Sequence, residues 1–182
     1  DLTVAIEVGV VLAVFLFMRQ MVMVTNVGVI TRELEEGDEE GDPNAIANRN
    51  VPEGIDVYEI NGPFFFGAAY KFEEAMTVVE RQPRARIIRM REVPAIDATG
   101  IHVLEQVYRN CTKQNVILII AEIHAQPLIA LDHSGLLKEI GEKNLHDNID
   151  DALNHARAIL GLLPEERPRP LEPDVAPGKG MG

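Results

Sequence analysis

The sequence predicts a domain of the α/β class with a mostly parallel β-sheet, preceded by an apolar helix at the amino terminus. Two observations support this prediction. Short apolar stretches of strand character alternate with longer stretches of helical spacing, which is typical of parallel strands joined by right-handed crossovers. Residues 2–18 carry one charge, whereas the remaining chain has the mixed composition of a soluble domain.

The amino-terminal stretch is expected to be a transmembrane helix. From Val8 to Met18 no side chain is charged or polar, and a helix that is apolar on every face suits lipid or a deeply buried bundle. A helix over Leu2–Met18 would be about 26 Å long, slightly shorter than a hydrocarbon core of about 30 Å. Because the chain begins with Asp1 and not with Met, we expect a fragment that starts inside the last membrane span of a larger protein.

This stretch has two other interpretations. A cleaved signal peptide is disfavoured because there is no basic start and no small-residue cleavage site. A single buried helix of a soluble domain stays an alternative. If the stretch does span a membrane, the charged Glu7 would have to face protein or water. Arg19 and Arg32 after the span favour a cytoplasmic location for the rest of the chain, attached to the inner or cell membrane.

The charge and the cysteine count exclude several classes of function. The net charge of −12 argues against nucleic-acid binding, which needs clustered Lys and Arg. A domain this acidic is also expected to hang away from an anionic leaflet. The single cysteine, Cys111, cannot form an internal disulfide, which fits a reducing compartment, and we predict it to be a small core residue.

Composition divides the chain after the membrane and juxtamembrane segment, residues 1–24, into three parts. Residues 25–50 contain a long acidic, glycine-containing run and are expected to be a solvated linker. A calcium loop is disfavoured there because the alternating acids and the distal glutamate of an EF-hand are absent. Residues 51–163 form the predicted folded domain, and the proline-rich residues 164–182 are expected to be disordered.

The predicted strands differ in how polar they are. Ile55–Ile60 alternates apolar and polar residues, so it should have one buried face. Val116–Ala121 is the most apolar and is expected in the middle of the sheet. The other strand segments are Arg86–Met90, a short edge strand at Asn144–His146 and a strand-like run at Phe64–Gly67.

Helices are predicted between and after these strands from apolar spacing and from end signals. The first runs over Ala68–Glu80 and ends before Gln82-Pro83, and the second begins after the N-cap Asp97. The later helix signals are Gln126-Pro127, Leu136–Ile140 after Ser134-Gly135, and the cap Asp147-Asn148, followed by Asp150, Asp151 and the apolar stripe Ile149, Leu153, Ala156 and Leu160.

No catalytic or metal site is predicted, and we expect neither an enzyme nor a bound cofactor. Asp132, His133 and Ser134 are neighbours in sequence, so their side chains point apart and cannot form a relay. The histidines lack paired ligand spacing and cysteine partners. They are His102, His124, His133, His146 and His155.

The turn Asp97-Ala98-Thr99-Gly100 is the one local site with a chemical hypothesis. Asp97 is a good N-cap, and the next three residues offer backbone N–H groups at the positive end of the helix dipole, where anions are favoured. Thr99 adds a hydroxyl that a kinase could modify, although the phosphate would be repelled by Asp97. A capped helix start without a ligand is the alternative, and physics alone favours it.

Five segments of the chain combine into a familiar pattern. They are IEVGVVLAVFLFMRQM, the acidic linker, YEINGPFFFGAAYKFEE, VPAIDATGIHVLEQV and DDAL near the end. In combination they resemble the sulfate permease (SulP) family of anion transporters, over the last membrane helix and the C-terminal STAS domain. The resemblance implies a STAS-type mixed, mostly parallel sheet with helices packed mainly on one side.

The resemblance also implies a function. It indicates a cytoplasmic regulatory or scaffolding domain of a secondary transporter of sulfate, bicarbonate or dicarboxylates, whose transport core would lie upstream. The implied partners are the membrane through residues 1–24, the protein's own upstream transport domain, a second copy in a homodimer, and acyl carrier protein or a nucleotide.

STAS domains are shared with anti-sigma factor antagonists, which suggests an alternative, a stand-alone phosphoswitch. In those proteins the second hydroxyl residue of an Asp-Ser-Ser-Gly turn is phosphorylated; the corresponding residue here is Thr99, and Ala98 replaces the first serine. The candidate anion or nucleotide contacts are Asp97, Ala98, Thr99, Gly100, Phe65, Phe66 and Gly67.

Overall fold

A five-stranded sheet with helices on both faces forms the domain. The computed structural model describes residues 1–24, 26–29, 45–77 and 82–166. Its strands are β1 (Asn26–Val29), β2 (Ile55–Asn61), β3 (Ala85–Glu92), β4 (Ile117–Ala121) and β5 (Leu145–His146). Its helices are α1 (Leu2–Val24), α2 (Phe66–Thr77), α3 (Ala98–Lys113), α4 (Ala125–Ser134), α5 (Leu136–Ile140) and α6 (Ile149–Ile159).

The sheet is mixed and mostly parallel, as predicted. Its strand order is β1-β2-β3-β4-β5, with β2 to β5 parallel and β1 antiparallel to β2. The short strand β5 lies at the edge, which confirms the predicted edge strand. The central strand is β3, so the more apolar β4 lies beside the middle of the sheet and not in it.

Helices α2, α3, α4 and α5 pack on one face of the sheet, and α6 packs on the other. The larger core lies under the first group and includes Phe72, Leu104 and Leu131. The smaller core lies under α6 and includes Ile87, Ile119 and Leu153. The prediction that the helices lie mainly on one side is therefore confirmed.

Strand β2 departs from the predicted pattern because both of its faces are buried. Asp56 and Glu59, the charged residues of this strand, are as inaccessible as their apolar neighbours. Each faces an arginine of β3: Arg86 lies 3.5 Å from Asp56, and Arg89 lies 3.3 Å from Glu59. These charges are accommodated by ion pairing with the neighbouring strand and not by exposure to solvent.

The predicted strand-like run Phe64–Gly67 is wrong beyond its first residue. Phe64 is fully buried and makes an isolated parallel bridge to Ile96, whereas α2 already begins at Phe66. The amide of Ala69 donates to the carbonyl of Phe65 at 3.0 Å, so helical bonding starts within the phenylalanine run. The expected end of this helix, 78–80, lies outside the described residues.

Part of the stretch predicted as linker belongs to the domain. Strand β1 and a 3-10 turn at Ile46–Asn48 both lie within 25–50, and Ile46 is buried against the α6 face of the sheet. The acidic run of this stretch lies outside the described residues. Of the tail predicted to be disordered, 164–182, residues 167–182 also lie outside the described residues.

Helix α1 stands apart from both cores. Within the described residues one helix is long and apolar enough to cross a membrane, judged by length and composition, over the 19 residues Leu2–Gln20. None of that stretch is buried. The alternative of a helix buried in the globule is therefore not what the structure shows.

Candidate functional site

The loops that leave the carboxyl ends of the central strands are joined to one another. After β2, the Gly62 amide donates to the Glu92 carbonyl and the Phe64 amide donates to the Ala95 carbonyl, both at 2.9 Å. The side-chain amide of Gln126, at the start of α4, pairs with the backbone of Ile96: its oxygen accepts from the Ile96 amide at 2.9 Å, and its nitrogen donates to the Ile96 carbonyl at 3.3 Å. The segment before α3 is thus fixed from both sides.

Helix α3 begins as the sequence predicted, with Asp97 as its N-cap. One carboxylate oxygen of Asp97 accepts a hydrogen bond from the Gly100 amide at 2.9 Å. The Gly100 amide, expected to be open to a ligand, is therefore occupied by the cap itself. The N–H groups that remain for an anion at this end are those of Ala98, which is exposed, and Thr99, which is half-buried.

Gly100 is required by the approach of the β2–α2 loop. A Cβ at this position would lie 2.4 Å from the Phe64 carbonyl oxygen and 2.7 Å from Cγ1 of Ile96. Both distances are far below van der Waals contact, and the first involves backbone. The glycine of the turn therefore has a packing role, independent of any ligand.

The other predicted contact residues lie at the start of α2. Phe65 and Gly67 are half-buried, and Phe66 is exposed. Phe64, which is not among the predicted contact residues, contacts the start of α3 directly, since its carbonyl accepts from the Asp97 amide at 3.5 Å and adjoins Gly100. The two predicted groups therefore lie at one end of the sheet and are joined through Phe64.

A buried polar cluster lies under α3 at the amino ends of the strands. The Arg86 guanidinium lies 3.5 Å from Asp56, 3.9 Å from the Cys111 sulfur and 5.4 Å from the centre of the Tyr58 ring. Burial raises the pKa of the Tyr58 hydroxyl to about 12 and also raises the pKa values of Asp56 and Cys111, against the opposing effect of Arg86. Cys111 is 1% exposed, as predicted for a core residue, and its thiol is kept protonated and unreactive.

A second buried charge cluster joins three strands on the other face. Arg89 is fully buried and forms ion pairs with Glu59 of β2 and with Glu122, which follows β4. The sequence signal for it was the charged residues Glu59 and Arg89 inside two segments predicted as strands. Such a cluster fixes strand positions, because a lone buried arginine would be strongly unfavourable.

Two of the histidines form a pair that the sequence analysis missed. Nε2 of His146 lies 2.9 Å from Nδ1 of His155, which joins β5 to α6. Burial lowers the pKa of both imidazoles. Their spacing of nine residues matches no ligand pattern, and the described residues contain no group of three or more His, Cys, Asp or Glu that could hold a metal ion.

The sequential residues Asp132, His133 and Ser134 lie at the end of α4, where the serine is used by the backbone. Its hydroxyl donates to the Leu131 carbonyl at 2.9 Å and accepts from the Leu136 amide at 3.3 Å. These bonds form the corner between α4 and α5. The arrangement is that of a helix end.

The comparison with known proteins agrees with this architecture. The model of the STAS domain family matches residues 47–152. YvdB of Bacillus subtilis, a protein assigned as a sulfate transporter, is 28% identical over 152 residues, which cover 83% of this chain and 27% of YvdB. The chain thus spans about a quarter of the length of that relative.

Solved structures share this fold, and one of them is also close in sequence. A sulfate transporter family protein from Wolinella succinogenes is 40% identical with a TM-score of 0.63, covering 66% of this chain and 98% of that one. The murine anion transporter Slc26a9 in its inward-facing state is 21% identical with a TM-score of 0.65, covering 87% of this chain and 26% of that one.

The fold is also found outside transporters. An anti-sigma factor antagonist from Mycobacterium paratuberculosis is 19% identical with a TM-score of 0.53, covering 72% of this chain and 95% of that one, a likeness of fold alone. The family model covers more than half of this chain, and the Wolinella protein is matched over almost its whole length. The chain therefore belongs to the STAS domain family and carries a STAS domain of the sulfate transporter type, which is not an enzyme family.

Proposed function

We propose that this chain is the cytoplasmic regulatory or scaffolding part of a SulP-type secondary anion transporter. In this proposal α1 is the end of the last membrane span, and the STAS domain acts on the protein's own upstream transport domain. The transported anion would be sulfate, bicarbonate or a dicarboxylate. The neighbouring triad residue types Asp132, His133 and Ser134 lie at a helix corner, where the Ser134 hydroxyl bonds the backbone.

One observation carries the proposal: an unburied apolar helix is joined almost directly to the STAS sheet. None of the 19-residue stretch Leu2–Gln20 is buried, so the domain does not hide it from water. In water, the apolar side chains of this helix would drive aggregation, because their removal from solvent lowers the free energy strongly. A bilayer removes it from water without any change in the domain.

Flotation of the full chain with phosphatidylcholine liposomes tests the membrane attachment. The chain should float with the lipid, and Leu12→Arg should weaken this partition, because an arginine at a span centre costs about 2.5 to 3.5 kcal/mol. Leu163→Arg is the matched control, since Leu163 is an exposed leucine outside α1 and should leave flotation unchanged. A chain that stays in the aqueous fraction would contradict the proposal.

Cysteine labelling in cells tests the cytoplasmic location. Cys111 is buried and should be silent towards a maleimide, so Leu163→Cys provides one accessible thiol. A membrane-impermeant maleimide should label this thiol only after the cell membrane is opened. Labelling of intact cells would place the domain on the outer side.

The regulatory role is tested in the full-length parent transporter. Uptake of radiolabelled sulfate, bicarbonate and dicarboxylates would be compared between the parent and a form lacking 45–166. We expect the form without the STAS domain to reach the membrane and to transport at an altered rate. Equal rates for every anion would contradict a regulatory role.

A second candidate function is a phosphoswitch at Thr99. The observation that favours it is the position of Thr99 in the first turn of α3, half-exposed, where the N–H groups of Ala98 and Thr99 are not used by the Asp97 cap. The Asp97 carboxylate would oppose the added phosphate. Binding of an anion or nucleotide at Asp97–Gly100 and Phe65–Gly67, a homodimer, and docking of acyl carrier protein stay predictions from the family resemblance.

Mass spectrometry after incubation with cognate kinases tests the phosphoswitch. Modification should occur at Thr99 and disappear in Thr99→Val. Thr112 on the same helix is an internal control, because its hydroxyl donates to the Tyr108 carbonyl at 2.9 Å at the far end of α3. Phosphate on Thr112 but not on Thr99 would contradict the switch.

A further inference from the structure

The connection between α1 and β1 fixes which end of the STAS domain lies nearest to the apolar helix. Helix α1 ends at Val24 and β1 begins at Asn26, so two Cα steps, at most about 7 Å, separate them. In the antiparallel pair β1–β2, Asn26 lies opposite Asn61, the last residue of β2. Helix α1 is therefore joined to the sheet at the carboxyl end of the parallel strands.

That end of the domain presents an exposed aromatic pair, Phe66 and Tyr70. Phe66 is the first residue of α2, which follows β2, and Tyr70 lies one turn further along. The two side chains are 58% and 56% exposed, and their rings meet edge to face with centroids 5.0 Å apart. Large aromatic side chains in contact with each other and open to water are unusual unless they meet a partner.

The length of α1 sets the depth of this pair relative to a bilayer. Leu2–Gln20 spans about 28 Å, close to a hydrocarbon core of about 30 Å. Met21–Val24 adds about 6 Å of helix, which is the depth of one headgroup layer. The carboxyl end of the sheet, with the start of α2, then lies at the level of the lipid headgroups.

We infer that Phe66 and Tyr70 insert into the interfacial zone of the lipid bilayer and hold the STAS domain against the membrane surface. The inference rests on the proposed function, since it needs α1 to span the membrane. Aromatic rings with an apolar body prefer this zone, and the Tyr70 hydroxyl can remain hydrated there. Glu73 and Glu74 lie on the next turn of α2, farther from the carboxyl end of the sheet, which favours a neutral lipid surface over an anionic one.

Tryptophan fluorescence tests this inference directly, because the chain contains no tryptophan. Phe66→Trp and Tyr70→Trp would each place one fluorophore in the pair, in the full chain reconstituted into phosphatidylcholine liposomes. Leu163→Trp is the matched control. Leu163 is 84% exposed and follows α6. Leu160, at the end of α6, lies beside Gly54 at the amino end of β2, so Leu163 is near the end of the sheet opposite to the aromatic pair.

Lipid brominated near the headgroup should quench most of the emission of Phe66→Trp and Tyr70→Trp and shift the remainder to the blue. The same lipid should leave the emission of Leu163→Trp almost unchanged. If the chain floats with the liposomes but neither variant is quenched more than Leu163→Trp, the aromatic pair does not face lipid and the inference is overturned. If the chain does not float at all, the membrane attachment itself is wrong, and the inference falls with it.

Discussion

At the scale of single residues, Gly100 shows how closely the β2–α2 loop approaches the start of α3. The Phe64 carbonyl occupies the space where any other residue at position 100 would place its Cβ. The Gly100 amide is used in turn to cap the helix through Asp97. One position thus fixes both the start of α3 and the course of the β2–α2 loop.

Gly100→Ala should therefore destabilise the domain. A Cβ 2.4 Å from a backbone oxygen requires the loop to move, and overpacking of this kind costs about 1 to 3 kcal/mol. The free energy of unfolding would be measured by urea denaturation in mild detergent. Thr99→Ala, the neighbouring position, is the control and should leave that free energy almost unchanged; equal values for both variants would mean that the loop can yield.

The residues of this site differ in how far the sequence could predict them. Asp97 followed by a helical pattern is a local signal, and the N-cap was predicted correctly. The contact of Gln126 with Ile96 joins residues thirty positions apart, and the His146–His155 pair depends on how α6 packs on β5. Such contacts are set by tertiary packing, so no local pattern announces them.

At the scale of elements, β4 illustrates the difference between the middle and the end of a strand. Ile119 is fully buried in the core under α6, whereas Ile117, at the start of the same strand, is 37% exposed. Ile119→Ala should lower the free energy of unfolding by about 2 to 5 kcal/mol through lost burial and the cavity left behind. Ile117→Ala removes the same atoms from a partly hydrated site.

The control variant Ile117→Ala should cost less than Ile119→Ala, because about a third of residue 117 already meets water and less apolar surface is lost from burial. Urea denaturation of both variants under one condition gives the comparison. A cost well below 1 kcal/mol for Ile119→Ala would mean that the α6 face of the sheet is not packed as described.

The contact of α6 with β5 should depend on pH through His146 and His155. Burial lowers the pKa of both imidazoles; Asp151 and Asp147 oppose this at His146, whereas His146 and Lys143 add to it at His155. In the unfolded chain both titrate near the ordinary value of about 6.5. Between that value and the lower folded pKa values the unfolded chain binds more protons, so the free energy of unfolding decreases as the pH falls below about 7 towards the folded pKa values and is unaffected by the pair above pH 7.

Urea denaturation across this pH range tests the histidine pair. His155→Gln should flatten the pH dependence below about pH 7, because one of the two half-buried imidazoles is gone. His133→Gln, at an exposed histidine in α4, should retain the dependence of the original chain. An unchanged slope in His155→Gln would assign the acid sensitivity to other groups.

The element pattern was predicted better than the surroundings of each element. The alternation of strands and helices gave the correct order from β2 to α6, because apolar periodicity is a property of each segment. Burial on both faces of β2 was missed, since it depends on Arg86 and Arg89 of the neighbouring strand. Strand β1 was missed because it is four residues long and pairs with a strand far along the chain.

At the scale of the whole molecule, two segments contact α6: the segment that enters the STAS domain, 45–50, and the segment that leaves it after α6. Arg49, in the entering segment, pairs with Asp150 through two bonds of 2.7 and 3.2 Å and also donates to the Ala45 carbonyl. In the leaving segment, the side chain of Asn154 pairs with the backbone of Glu165, and Arg157 contacts both segments, through the carbonyls of Asn50 and Leu163. The last helix therefore holds the segment that precedes the folded domain.

Asp150→Asn should loosen this attachment. Arg49 is almost fully buried, so the loss of its carboxylate partner leaves a charge in a poorly hydrated place, at a cost of roughly 3 kcal/mol. Asp147→Asn, an exposed acid just before α6, is the matched control and should stay within about 0.5 kcal/mol of the original chain. Hydrogen exchange of 45–50 should become faster in Asp150→Asn and not in Asp147→Asn, while exchange in β3 stays slow. Faster exchange throughout the sheet would show that the pair supports the whole fold, and equal exchange in both variants would show that the entering segment is held by Ile46 and its apolar contacts alone.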